Sequence, residues 1–417
     1  MKKSFLLLTF LIQTIYSFGQ SPVSPKISGQ TYVVTTFGAI GDGKKLNTAA
    51  FQTALNKVAE TGGILTIPKG VFLCGPIEIK GKTNLVLEKD AVLKLVDDVA
   101  NYPSFNERYL NFISIKNAND IKISGEGIID GQGQIWWDKF TVKEITFRRP
   151  QLLFIENCER LEIAGITTLN PPNTHISIKG GREVYIHDVT IYAPEKSRNT
   201  DGINISAKNA LIERCKIATG DDNIAINFGN RNQKAGEPEV ENITVRHCNF
   251  GYGHGLSIGS FTSGGLKNLN VNNCKFDGTT SAIRIKTARG RGGVVENVVY
   301  QDIDIKNVKW PIFISMYYPK EPKKILDEAV QPFAQFTPVY KNIRLKNINI
   351  TNAELAMKIW GLPESPIEAI KMINVAIDAK KGVELYNIKN VDFENCKLSI
   401  ASGEKITTHN TQYTGLK

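Results

Sequence analysis

The chain has 417 residues, 41% of them hydrophobic and 22% charged, and a formal net charge of +10. These figures fit an ordinary soluble globular protein of one large domain or two or three average ones. The positive balance favours anionic partners, and because the 51 Lys and Arg residues are scattered without a long basic run, it argues against a nucleic-acid-binding arm.

Residues 1–19 read as a signal peptide. Lys2 and Lys3 precede an apolar stretch from Phe5 to about Ile15, and small residues at Ser17 and Gly19 suit cleavage before Gln20. The stretch is too short for a membrane span, and no cysteine stands near the cleavage site to carry a lipid. The expectation is an exported protein, secreted or periplasmic, with residues 20–417 as one domain. Removal of Lys2 and Lys3 leaves a net charge of +8. Further on, Asn47 or Thr48 can cap a helix running through Ala50, Ala54, Leu55 and Val58 to Gly62-Gly63.

From about residue 160 one apolar pattern recurs. It reads Ile186/Val189/Ile191, Ile212/Cys215/Ile217, Val245/Cys248/Phe250, Val271/Cys274/Phe276, Tyr300/Ile303/Ile305, Leu345/Ile348/Ile350, Ile370/Ile373/Val375 and Phe393/Cys396/Leu398. Middle positions lie 26, 33, 26, 29, 45, 25 and 23 residues apart, and the long interval holds an inserted loop from Pro319 to Pro338. Asn or Asp often precedes the middle residue, as at Asp188, Asn273, Asp302, Asn347 and Asn395, and suits a tight left-handed bend. Period-2 runs rich in Val, Ile and Thr, repeating at this spacing, predict an all-β solenoid. The best fit is a single-stranded right-handed parallel β-helix, with the N-terminal helix closing its open end. Cysteines that alternate with Ile and Val in the same position read as interior packers rather than disulfides or metal ligands.

Four polar islands sit beside these strands: Asn199-Thr200-Asp201, Gly220-Asp221-Asp222, Gly253-His254-Gly255 and Arg284-Ile285-Lys286. If Ile203/Ile205, Ile224/Ile226 and Leu256/Ile258 point inward, Asp201, Asp222 and His254 form one column on neighbouring coils. Asp221 points differently, and Arg284 and Lys286 face outward one coil on. Asp201 and Asp222 could then deprotonate a water. Asp221, crowded by two anions, is expected to keep a proton and act as the acid. Arg284 and Lys286 would hold a substrate carboxylate. Clustered aspartates can also bind calcium, but His254, Arg284 and Lys286 beside them oppose a bound cation, so no metal and no cofactor is expected.

Together the four islands resemble the polygalacturonase family of glycoside hydrolases, family 28. The resemblance extends to Gly41-Asp42-Gly43 with Asn47-Thr48, Ile129-Asp130-Gly131-Gln132-Gly133 with Trp136-Trp137, Arg149-Pro150, Ser257-Ile258-Gly259-Ser260 and Pro311 to Tyr318. It implies a β-helical enzyme that hydrolyses α-1,4-galacturonide links in pectin with inversion and without a metal. Asp221 would be the general acid, Asp201 and Asp222 the water-activating pair, and His254 a residue that tunes the acid. Arg284 and Lys286 would grip galacturonate, with Asn199 and Tyr318 completing the substrate-binding set. Tyr317 stands next to Tyr318 in that match. The implied partner is an anionic pectic polysaccharide, acted on by a monomer with no nucleic acid and no membrane span. Pro171-Pro172-Asn173-Thr174-His175 and the 319–338 loop depart from the family pattern, which leaves the cleavage mode open. The alternatives are a hydrolase of another pectic glycoside, such as rhamnogalacturonan or a decorated galacturonan, a non-catalytic carbohydrate-binding β-helix, and a calcium-dependent lyase.

Overall fold

A computed structural model describes residues 21–229 and 240–416. The stretch read as a signal peptide lies outside them. Among the described residues 29 strands join one sheet that winds into a right-handed parallel β-helix, and a two-stranded antiparallel hairpin, Ser104–Phe105 with Arg108–Tyr109, stands apart. No helix among those residues is long and apolar enough to cross a membrane.

The coil repeat follows from period-2 alternation. Ile203, Ile224, Leu256 and Ile283 pair in register on successive coils, as do Ile205, Ile226, Ile258 and Ile285. All eight are fully buried. Each such burial is worth roughly 1.5–3 kcal/mol, and a slip of one residue would turn the whole set outward. The cysteine column is an interior stack: Cys215, Cys248 and Cys274 continue the position of Ile303, each buried, with its thiol 3.3–3.4 Å from a backbone carbonyl. All six cysteines are free. Contact with Cys248 and burial hold the Cys215 thiol well above its ordinary pKa, which suits a packing role.

The bends carry the polar half of the repeat. Asp188, Asn273, Asp302, Asn347 and Asn395 have φ of +56°, +52°, +56°, +52° and +50°. Side-chain amides at the bends also bond from coil to coil. Asn242 donates to Asn209 (3.0 Å), Asn268 to Asn242 (2.9 Å), Asn297 to Asn268 (3.0 Å) and Asn342 to Asn297 (3.2 Å). A second ladder joins Asp302, Asn347, Asn374 and Asn395. That ladder corrects one repeat. Val375, not Ile373, pairs with Ile348, so the coil reads Met372/Val375/Ile377. Asn374 sets this phase because it takes the left-handed bend, with φ of +54°. Asn268→Ala would remove two rungs and a favoured bend residue. We expect a loss of about 1–2 kcal/mol, measured as a lower denaturant midpoint with an unchanged slope.

The capping helix spans Thr48–Thr61 and buries Phe51, Ala54, Leu55 and Val58. Asn47 occupies the N-cap position without capping. Its Oδ1 accepts from Ile40 N (2.8 Å), and its amide donates to the carbonyls of Ile40, Lys45 and Leu73. It therefore anchors the segment that leads from Ile40 through the strand Asp42–Leu46, and Thr48 Oγ1 accepts from Gly75 N. A second helix, Gly133–Thr141, lies against the coils through buried Trp136 and through Trp137, which donates to Pro171 O (3.0 Å).

Candidate active site

The four islands meet on one face of the solenoid. Because Ile203, Ile224 and Leu256 are in register, Asp201, Asp222 and His254, each two residues upstream, fall on the same position of three successive coils. Arg284 pairs with Ser257, and Lys286 lies two residues further along the same strand, facing the same way. The turn before Asp221 needs Gly220, where a Cβ would lie 2.0 Å from Ser197 O. The His254 turn needs Gly255, at φ +75°, where a Cβ would lie 1.9 Å from Ser281 O. Buried Asn223 pins this turn by accepting from Gly255 N (2.7 Å) and donating to Tyr252 O (3.0 Å).

Asp222 is the buried centre. Lys286 Nζ reaches its Oδ2 at 2.7 Å, Arg284 Nη1 its Oδ1 at 3.0 Å, and Ser257 Oγ donates to Oδ1 at 2.8 Å. His254 Nδ1 lies 3.1 Å from Asp221 Oδ1 and 3.5 Å from Asp222 Oδ1. Burial alone would raise the Asp222 pKa, but Lys286, His254 and Arg284 together hold it far below the usual carboxylate range. The His254 imidazole is pushed up to about 9, first by Asp221 and then by Asp222, and is a cation at neutral pH. Asp201 has a single amide partner, Asn204 Nδ2, at 3.3 Å. Burial, then the charges of Asp221 and Asp222, lift its carboxyl to about 7. Asp201 lacks a cation in hydrogen-bond contact, and this sets it apart from Asp222.

Tyr318 stands over the groove cations, its ring centroid 5.5 Å from the Arg284 guanidinium and 5.2 Å from Lys286 Nζ. Tyr317 points away and stacks with Arg289 instead, at 5.7 Å. Asn199 Nδ2 comes within 3.5 Å of Asp221 Oδ2.

A model of glycosyl hydrolases family 28 matches residues 60–403. The chain belongs to this family. It is 32% identical to a probable polygalacturonase of Vitis vinifera over 82% of this chain and 73% of that one. It is 33% identical to an endo-polygalacturonase of Pectobacterium parmentieri over 79% of this chain and 87% of the relative. Among solved structures it superposes on the polygalacturonase of Erwinia carotovora ssp. carotovora with a TM-score of 0.67 at 28% identity, covering 94% of this chain and 98% of that one. The protein is a glycoside hydrolase, and the inverting mechanism is general for family 28.

Several supports of this family 28 site were not derivable from the islands. Arg149 is almost fully buried, stacks 4.2 Å over Phe140, and donates from Nη2 to Asn199 Oδ1 (2.9 Å) and Arg198 O (3.0 Å). That contact fixes the Asn199 amide so that its Nδ2 faces Asp221. Ser257 and Asn223 are the other two; the Arg149-Pro150 and Ser257-Ile258-Gly259-Ser260 motifs hinted at Arg149 and Ser257, and nothing pointed to Asn223. Asp221, Asp222 and His254 approach closely enough to share a metal ion. Both Asp222 oxygens, however, already face cationic donors, and a divalent ion would have to displace Lys286 and Arg284 at a large electrostatic cost.

Proposed function

We propose that this protein is an exported, monomeric polygalacturonase, with residues 20–417 forming one catalytic β-helix that hydrolyses α-1,4-galacturonide links of pectin. One observation carries the reading. Three carboxyls meet on adjacent coils in unlike states, Asp222 locked as the anion by Lys286 and Arg284 and Asp201 lifted by burial. A carboxylate held as the anion beside two further carboxyls supplies the acid and base groups that cleavage of a glycoside needs.

In this mechanism Asp221 is the acid, and Asp201 with Asp222 is the base. A neutral Asp221 puts less charge on Asp201, which then ionises more readily. Asp221 then protonates the departing glycosidic oxygen, and Asp201 with Asp222 takes a proton from the water that attacks the anomeric carbon from the opposite face. The His254 cation, 3.1 Å from Asp221, stabilises the carboxylate left after proton transfer. Lys286 and Arg284 use one donor each on Asp222, which leaves further donors for the galacturonate carboxylate beside the scissile bond, under the Tyr318 ring. Asn199, oriented by Arg149, donates to the substrate or to Asp221.

The test is a time course on polygalacturonic acid and a panel of other pectic polymers. Galacturonate products should accumulate without ultraviolet-absorbing unsaturated ends and without sensitivity to a chelator. Activity should fall as pH rises through about 9, where the His254 cation beside Asp221 loses its proton. Monomer alone indicates exo action and an oligomer ladder endo action. No product from any galacturonide would sink the assignment.

A further inference from the structure

A second cationic patch lies along the same groove, on the coils that precede Asp201. The outward position after Ile178 is Lys179. Ile178 pairs in turn with Ile205, Ile226, Ile258 and Ile285, so Lys179 and Lys286 hold the same position four coils apart, about 19 Å along the axis. Two coils before Lys179 the same position is Lys116, reached through Glu156. Phe154, between them, sits in the row that carries Arg284 further on. Both ammonium groups flank its ring, Lys116 Nζ at 5.6 Å and Lys179 Nζ at 5.4 Å from the centroid.

Two loops bring arginines to this patch. Arg108, in the 104–109 hairpin, and Arg148 form a β-bridge, with Tyr109 N donating to Arg148 O (3.1 Å) and Arg148 N to Glu107 O (3.2 Å). The hairpin is held down by Tyr109, whose ring packs on Trp136. The surrounding protein and then the Arg148 charge lower the Lys179 pKa, with Arg108 adding to the effect and Glu156 opposing it. Many other surface cations, such as Arg160, Arg214 and Lys380, have carboxylate partners. Among the described residues Arg108, Lys116, Arg148 and Lys179 make no ion pair with a carboxylate. Glu156, in the row between the two lysines, offsets only part of the four like charges, and an arriving polyanion relieves the repulsion that remains.

We infer that Lys116, Lys179, Arg148 and Arg108 form a distal uronate subsite, in which buried Phe154 spaces the two lysines and the cations take carboxylates of the chain that runs back from Asp201. The inference rests on the galacturonan reading. With Lys286 and Arg284 at the other end, it makes the groove a two-ended clamp longer than a single sugar can bridge.

The experiment compares wild type with a Lys116→Ala/Lys179→Ala double variant and a Lys116→Arg/Lys179→Arg control, on digalacturonate and on long polygalacturonate. Both lysines are exposed, and an unchanged melting temperature will confirm the fold. The Ala variant should lower the ratio of kcat/KM for polymer over dimer by about tenfold or more, mainly through KM, and flatten its salt dependence, while the Arg control restores both. Calorimetric binding of oligogalacturonates, against carboxyl-reduced oligomers, reads the same subsite without cleavage. Equal losses on dimer and polymer, or unchanged oligogalacturonate affinity, would overturn the inference. Absence of galacturonan cleavage by wild type would instead strike the functional reading and leave the binding comparison to decide on the subsite.

Discussion

Asp221→Asn is expected to lower kcat on polygalacturonate by about a thousandfold while leaving oligomer affinity nearly unchanged. The amide keeps the size of the carboxyl and can still accept from His254 Nδ1 and from Asp222 N, which lies 2.9 Å from Oδ1. What it loses is the proton that the leaving oxygen requires. The deficit should therefore shrink on an aryl galacturonide whose leaving group departs without protonation. Steady-state kinetics on both substrates, with calorimetry for affinity, separate the acid from a binding role. Wild-type turnover on the polymer, or an equal deficit on both substrates, would refute the acid assignment.

The second large effect belongs to Lys286→Met. The Lys286 and Asp222 side chains are both 6% exposed and lie 2.7 Å apart. Removing one partner strands a buried charge, and breaking such a pair costs about 3–5 kcal/mol. Arg284 and His254 remain beside Asp222, so the lower end of that range is expected. Asp222 has a folded pKa below its unfolded value of 3.8, so its contribution is present above that value and is lost as pH falls through the folded pKa. The gap between variant and wild type should be full at pH 7 and narrow below about pH 4. His254 works in the opposite sense. Its raised pKa stabilises the fold below about 6.5, and that contribution disappears as pH rises through about 9. Denaturant midpoints across pH read both, and a Lys286→Met deficit that stays constant from pH 7 to pH 3 would contradict the ion-pair account.

How much of this was legible in the sequence depended on whether a local rule fixed the geometry. The alternation of Ile203/Ile205, Ile224/Ile226 and Leu256/Ile258 sets which way each neighbour points, so the alignment of Asp201, Asp222 and His254 could be read before any coordinates. The same rule failed at Ile370–Ile377, where apolar residues fall in both phases and only the bend residue Asn374 reveals the register. Asn47 looked like a helix cap because its place in the chain is right, but its side chain serves the segment that leads from Ile40. The charge states were least accessible. Which aspartate is lifted depends on Lys286 reaching Asp222 across 64 positions and on Asp201 having no such partner, facts of three-dimensional proximity that crowding along the chain does not contain.

The amide ladders have a further consequence for how such a protein changes. Asn342 bonds to Asn297 across 45 residues almost as closely as Asn268 bonds to Asn242 across 26. The rungs measure height along the axis and are indifferent to the contour length between them. The 319–338 segment can therefore lengthen or shorten without altering the pitch on either side, and Arg289, bonded to Glu328 and Glu364, ties it back to the wall. A reaction centre on fixed coils can in this way be refitted with new rims, one loop at a time, while the spacing of its acids stays the same.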